Sequence, residues 1–262
     1  MRYRLCACVA VLVMACGGGR PAANPTVSPS PAGREAEMAS PELIDSLWGK
    51  AEWAVRHGKW GDVQKLVERV LLELPPGDPR IPQAHFWLGE AYFARGQHLE
   101  AAREFRKASD DTPNHPLAPE ALLRVGDAYA DLWRRPELDP TYGQTALATY
   151  QELLNRYPDS PAAKRARLRI AELNERFAYK TYKAAMFYYR LKAYDSAILY
   201  FKDLIAQYPK SAVAPDALVK LVQAYKTLGY REDVQETCDY LRRFHPKAHG
   251  AREVCPTDST GA

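Results

Sequence analysis

Residues 82–113 read PQAHFWLGEAYFARGQHLEAAREFRKASDDTP, and their spacing decides the fold. Apolar and small residues recur three and four apart on both sides of Gly96, the period of two amphipathic helices joined by a tight turn. Leu88 and Ala108 carry the apolar face of each helix. Small Gly89 and Ala101 fall where the helices must cross closely, and Tyr92 and Phe105 fill the space between them. Pro113 ends the second helix, because proline has no backbone N–H and its ring clashes with the preceding turn.

The same positions recur up and down the chain at a period near 34 residues, which is the spacing of the tetratricopeptide repeat. In residues 82–113 only the leading tryptophan of that pattern is missing, replaced by His85. Ala51, Ala54, Gly58, Val63, Val67, Val70 and Pro75 predict a repeat before it. Ala185, Tyr188, Ala197, Phe201, Leu204 and Pro209 predict another after it, and Leu218, Leu221, Tyr225, Gly229, Val234, Leu241 and Pro246 the last. The middle repeat, marked by Gly126, Tyr129, Ala146, Tyr150, Leu153 and Pro158, is stretched by eight residues around WRRPELDPTYG (133–143), which predicts a projecting loop. From Ser160 to Leu191 no glycine intervenes, and the one proline, Pro161, follows a serine N-cap. A long helix joining the third and fourth repeats is therefore predicted. Ser40-Pro41, Asp78-Pro79 and Ala214-Pro215 mark further helix starts. The fold class is all-α, an α-solenoid of about five helical hairpins over residues 42–246, followed by a C-terminal tail over 247–262.

The residues before the solenoid have a different character. Arg2 and Arg4 precede an apolar run from Leu5 to Ala15, too short to span a bilayer, which needs roughly 20 residues. Val13-Met14-Ala15-Cys16 resembles a bacterial lipobox. Residues 1–15 are thus read as a lipoprotein signal peptide and Cys16 as the lipid attachment site. Residues 16–41 are rich in Gly, Pro, Ser and Ala without apolar periodicity, a composition that cannot bury a core and suits a tether with a reach of roughly 25–30 Å. Removing the two arginines before Cys16 lowers the formal charge from +4 to +2. That near-neutral balance excludes a nucleic-acid footprint.

Nothing in the sequence assembles a reaction site. The six histidines join no nucleophile or carboxylate pattern. Cys238, His245, His249 and Cys255 have the residue types of a zinc site, but Cys238 occupies the repeat position of Phe105 and Phe201, a core position. No catalytic residue, metal or cofactor is assigned, and the chain is read as a non-enzyme. An exported chain meets an oxidising compartment, so Cys238 and Cys255 are a possible disulfide if the tail folds back over the last helix.

A solenoid of this kind presents its first helices along a concave face. In the second repeat the groove positions are Gln83, Phe86, Glu90, Phe93 and Ala94. Their equivalents are Asp45, Trp48, Glu52, Val55 and Arg56 in the first, and Glu120, Leu123, Asp127 and Asp131 in the third. Exposed aromatics with a line of acids predict a groove for an extended peptide. Tyr182, Met186 and Tyr189, at the same positions of the fourth repeat, predict an apolar patch for a protein partner.

The lipobox, tether and five repeats together resemble the BamD family, lipoproteins of the outer-membrane β-barrel assembly machinery. The similarity is greatest in DPTYGQTALATYQELLNRYPDSPAAKRA (139–166) and LNERFAYKTYKAAMFYYRLKAYDSAILYFKDLIAQYPKSAVAPDAL (173–218), with their paired YPDS and YPKS exits. The resemblance implies an adaptor that is lipid-anchored in the outer membrane and faces the periplasm. It would bind the barrel subunit BamA, other lipoproteins of the machinery and unfolded outer-membrane proteins. Surface chemistry divides these roles: the apolar patch of Tyr182, Met186 and Tyr189 with the loop near Arg134 to Tyr142 suits a permanent hold on BamA, and the acidic and aromatic N-terminal groove suits transient engagement of clients. The periplasmic coordinator of the Tol–Pal system shares the repeat exits but carries an N-terminal coiled coil, and residues 17–41 show no heptads. A generic envelope lipoprotein scaffold is a third reading.

Overall fold

The computed structural model describes residues 40–255; Cys16, with the signal and tether segments, and residues 256–262 lie outside the described residues. Five helical hairpins follow one another: α1 (Pro41–Arg56) with α2 (Trp60–Glu73), α3 (Ile81–Ala94) with α4 (His98–Asp110), α5 (Ala118–Leu132) with α6 (Thr141–Arg156), α7 (Pro161–Arg190) with α8 (Tyr194–Gln207), and α9 (Ala214–Leu228) with α10 (Arg231–Phe244). A one-turn helix, α11 (Ala251–Val254), completes the described chain.

Local chemistry sets these boundaries. Every first helix has a proline in its opening turn, where the missing N–H costs nothing. The Ser40 and Ser160 hydroxyls accept the backbone N–H groups of Leu43 and Ala163, at 3.3 and 3.1 Å, and so cap α1 and α7. Pro79 lies in the turn ahead of α3, whose opening proline is Pro82. Within four hairpins the turn passes through one left-handed residue: Gly58, Gly96, Lys192 and Gly229, with φ between 59° and 79°. Only Lys192 holds that conformation against the steric cost of a Cβ.

The core is built of complementary small and large residues between neighbouring helices. A Cβ added to Gly89 would lie 2.6 Å from the Phe105 ring, and Gly126 meets Tyr150 in the same way. Phe105, Tyr150 and Phe201 are fully buried, one in each of the second, third and fourth hairpins.

Two features depart from the plain repeat. Helix α7, about 45 Å long at 1.5 Å per residue, serves two hairpins. Its first half packs Ala162, Ala163, Ala166, Leu173 and Phe177 against the third hairpin, and its second half pairs with α8 and α9. The inserted segment does not project freely as the sequence suggested. Trp133 is buried, stacks on Phe177 at 4.6 Å and carries the Arg176 guanidinium 4.5 Å from its ring centre. Lys180 donates to the carbonyls of Glu137 and Leu138, at 3.3 and 2.9 Å, so the loop folds back onto α7 while the Leu138 side chain stays exposed.

At the far end, residues read as a tail join the body. Ala251 and Val254 pack on Val219, Val222 and Leu241, while Cys238 and Cys255 form a disulfide with Cα atoms 5.5 Å apart. Cys238 is therefore both a core residue and a bridge partner.

Candidate functional site

The first helices line one face, and there the acids predicted to face a peptide are held by arginines. Glu90 accepts from Arg124 through both oxygens, at 2.6 and 3.0 Å. Asp127 accepts from Arg124 (3.2 Å), Arg169 (3.2 Å) and the Tyr150 hydroxyl (2.7 Å), and Glu120 is paired with Arg165. Burial, followed by the charge of Asp127, pushes the Tyr150 phenol well above its usual range, so it remains a donor. The result is an alternating acid–arginine ladder. Glu52 stays largely in solvent with a loose pair to Arg56 at 3.9 Å, and Asp45 and Asp131 are exposed as well, Asp45 reaching Arg80 at 2.8 Å.

The groove aromatics are half-buried rather than free. Trp48 packs against Trp87 at 4.6 Å beneath Arg80, Phe86 against Phe105 at 5.5 Å, and Phe93 lies under Arg124, whose guanidinium sits 4.1 Å from the ring centre. A pocket of about 310 Å³ remains between Phe93, Tyr150, Leu173 and Arg176. Arg176 has no carboxylate partner within 4 Å among the described residues, and burial lowers its pKa. This face can grip an extended chain by exchanging its own ion pairs for those of a ligand, around half-covered rings.

The fourth hairpin differs from expectation. Tyr182 packs near Phe201 at 6.1 Å, and Tyr189 packs edge-on to the same ring while its hydroxyl donates to Gln223 at 3.1 Å; Met186 belongs to the same cluster. All three are used between α7, α8 and α9. The apolar surface lies one step round α7, where Phe187 and Leu191 are 53% and 62% exposed on the side that carries Lys180. The loop adds exposed Leu138, and Tyr142 opens α6.

A third surface was missed. Along the outer flank of the first hairpin runs a groove of about 690 Å³ lined by Gly49, Lys50, Trp53, Asp62, Lys65 and Leu66. Trp53 is 48% exposed and stacks on His57 at 4.2 Å. The signal was present, a tryptophan at a helix position that is alanine in the second, third and fifth repeats (Ala91, Ala128 and Ala224). Among the described residues no group of three or more His, Cys, Asp or Glu is placed to hold a metal, and no helix is long and apolar enough to cross a membrane.

The YfiO family, described as outer membrane lipoprotein, matches residues 43–241, which is nearly the whole solenoid. The chain belongs to this family. Among curated relatives, a Vibrio cholerae protein named outer membrane protein assembly factor BamD is 34% identical over 214 residues, covering 76% of this chain and 88% of the relative. The Caulobacter vibrioides protein of the same name is 25% identical over 226 residues, covering 83% and 74%. Of solved structures, the TPR2AB-domain:pHSP90-complex of yeast Sti1 is similar at 13% identity and a TM-score of 0.46, covering 82% of this chain and 83% of that one. The family match thus falls on the all-helical body of five hairpins.

Proposed function

We propose that this chain is a non-catalytic adaptor of outer-membrane β-barrel assembly, held by a lipid on Cys16 in the inner leaflet of the outer membrane and facing the periplasm. The observation that carries the reading is the family match over residues 43–241, which coincides with the solenoid and reaches both of its faces. The relatives' shared name, outer membrane protein assembly factor BamD, supports the assignment to that machinery. Gly17 follows Cys16, in place of the aspartate that retains lipoproteins in the inner membrane of some bacteria.

Two partner surfaces follow from the geometry. The exposed flank of α7 with the loop, through Phe187, Leu191 and Leu138, suits a stable interface with the barrel subunit BamA, because more than half of each of these apolar side chains is open to solvent. The ladder face, with Glu90, Phe93, Arg124 and Arg176, suits brief engagement of unfolded outer-membrane proteins. Their strands bring aromatic girdle residues and backbone donors, and each displaced ion pair keeps binding weak. Other lipoproteins of the machinery would share the remaining surface.

Affinity purification of the tagged chain from detergent-solubilised membranes tests the reading. BamA should co-purify with the parent, and Phe187→Ala with Leu191→Ala should lower its recovery by about tenfold or more, a loss of at least 1.4 kcal/mol. Phe93→Ala should instead reduce cross-linking to an unfolded barrel protein. Absence of BamA from the parent's complex would overturn the assignment. Cys16→Ala should move the protein out of the membrane fraction.

A further inference from the structure

In the second and third hairpins an aromatic ring of the second helix lies on a glycine of the first, Phe105 on Gly89 and Tyr150 on Gly126. In the fourth the corresponding residues are Phe201 and Ala185, which share one buried cluster. The fifth hairpin, 37 residues further on, reverses the sizes, with Val222 on α9 and Cys238 on α10. No aromatic ring plugs it at that position. The tail supplies what is missing: Ala251, Val254 and Cys255 are buried in one cluster with Val219, Val222, Cys238 and Leu241.

Little besides the sulfur–sulfur bond holds the tail there. The backbone N–H groups of residues 247–255 donate only within the tail and to the carbonyl of His245, never to α9 or α10. Among the described residues the tail makes no ion pair, the last one in the chain being Arg242 with Asp239. The Val254 carbonyl lies 3.9 Å from the Cys238 sulfur, which once bridged has no proton to donate. Helix α11 is a single turn, too short to be stable by its own hydrogen bonds. Left-handed Gly250 at its start and the bridge at its end fix it in place. Without the bridge, burial of three small side chains stands alone against the entropy of ordering the whole segment.

We infer that this chain is a substrate of a disulfide-donating oxidoreductase of the Cys-x-x-Cys type, and that this reaction, rather than folding alone, closes the C-terminal end of the solenoid. Cys238 sits within α10, in the cluster with Val222 and Leu241, whereas Cys255 lies on the tail and is free of α9 and α10 until the bridge forms. Cys255 is therefore the entry thiol. Its thiolate attacks one sulfur of the donor, so that a mixed disulfide forms while the donor's own S–S bond breaks and its second sulfur leaves as a thiolate. The Cys238 thiolate then attacks the Cys255 sulfur and expels the remaining donor sulfur. The chain loses two electrons and two protons, and the donor gains both as a dithiol. Docking buries both sulfurs of the product, which takes the bond out of reach of a second exchange. In the reduced chain Val219, Val222 and Leu241 form an open apolar face, and the end is completed only after the donor has acted.

The test uses the full chain with Cys6, Cys8 and Cys16 replaced by serine, which keeps only Cys238 and Cys255 of its five cysteines. The probe is an oxidised Cys-x-x-Cys protein, added in equimolar amount after the chain has been reduced and the reductant removed. Before it is added, hydrogen-exchange protection over α11 and the facing side of α10 should be at least about tenfold lower than in the oxidised chain, with α1 to α6 unchanged. Acid quenching and peptide mass spectrometry should then find the early mixed disulfide on Cys255, in about tenfold or greater excess over Cys238. Without the donor the thiols should persist at least about tenfold longer. Cys255→Ala, which keeps the buried Cys238, should reproduce the loss of protection at α11. Equal protection of α11 in the reduced and oxidised chains would overturn the inference, and so would a mixed disulfide that maps chiefly to Cys238. Pairing as fast without the donor as with it would overturn it too, since folding then closes the end unaided.

Discussion

The flanks of α1 and α3 carry the same positions of the same repeat, yet one is closed and the other open. On α3, Ala91 is fully buried against α2 and has no room for a larger side chain. On α1 its equivalent, Trp53, projects into a groove. The difference teaches that residue size at this position follows cover: alanine where a helix is seated and an aromatic where none is. The second half of α7 obeys the same rule. It has outrun α6, and the position equivalent to Ala91 is exposed Phe187. These two first-helix flanks are ones that no described helix covers.

The sharpest way to break this comparison is to exchange the residues. Ala91→Trp should cost about 3 kcal/mol or more, because the seated α2 cannot move aside without losing its own packing. Denaturant unfolding would measure it, and a loss under about 1 kcal/mol would mean that α2 is loosely held. The opposite end of the solenoid comes next. There the chain supplies its own cover, and the loop closed by Cys238 and Cys255, 17 residues apart, should contribute about 3 kcal/mol. Replacing both cysteines with serine should lower the Tm and release hydrogen-exchange protection over α9 to α11, while α1 to α3 stay unchanged.

Between these ends, Arg124→Ala removes the shared partner of Glu90 and Asp127 and should cost about 2 kcal/mol. Because it belongs to neither end, exchange protection should fall in α3 and α5 alone. Lys192→Gly should stabilise by about 1 kcal/mol, since the left-handed turn position then loses its steric cost. Smallest of all, Trp53→Ala should change stability by less than about 0.5 kcal/mol, as expected of a side chain that packs on little of its own fold. A loss near that of a buried aromatic, about 3 kcal/mol or more, would show that Trp53 is a core residue and that the flank of α1 is closed.

What the sequence determined by itself is the succession of helices. Repeat spacing, helix-opening prolines, serine caps and the pairing of Gly89 with Phe105 are local, and each acts within one hairpin. The inserted loop and the long α7 were legible for the same reason: an excess of eight residues and an uninterrupted helical run need no knowledge of neighbours. What only the tertiary structure decided is which side chains remain free. Glu90 and Arg124 are 34 residues apart, Asp45 and Arg80 35, and Glu120 and Arg165 45, the last pair spanning the insertion. Such contacts run from one hairpin to the next, and opposite charges one repeat apart were the available hint. Without them Phe93, Tyr182 and Tyr189 read as exposed and Trp53 as unremarkable. Helical periodicity tells that a residue lies on a given face of its helix. Whether that face is covered depends on the helix stacked beside it, which in a solenoid is set by the relative lengths and offsets of consecutive hairpins.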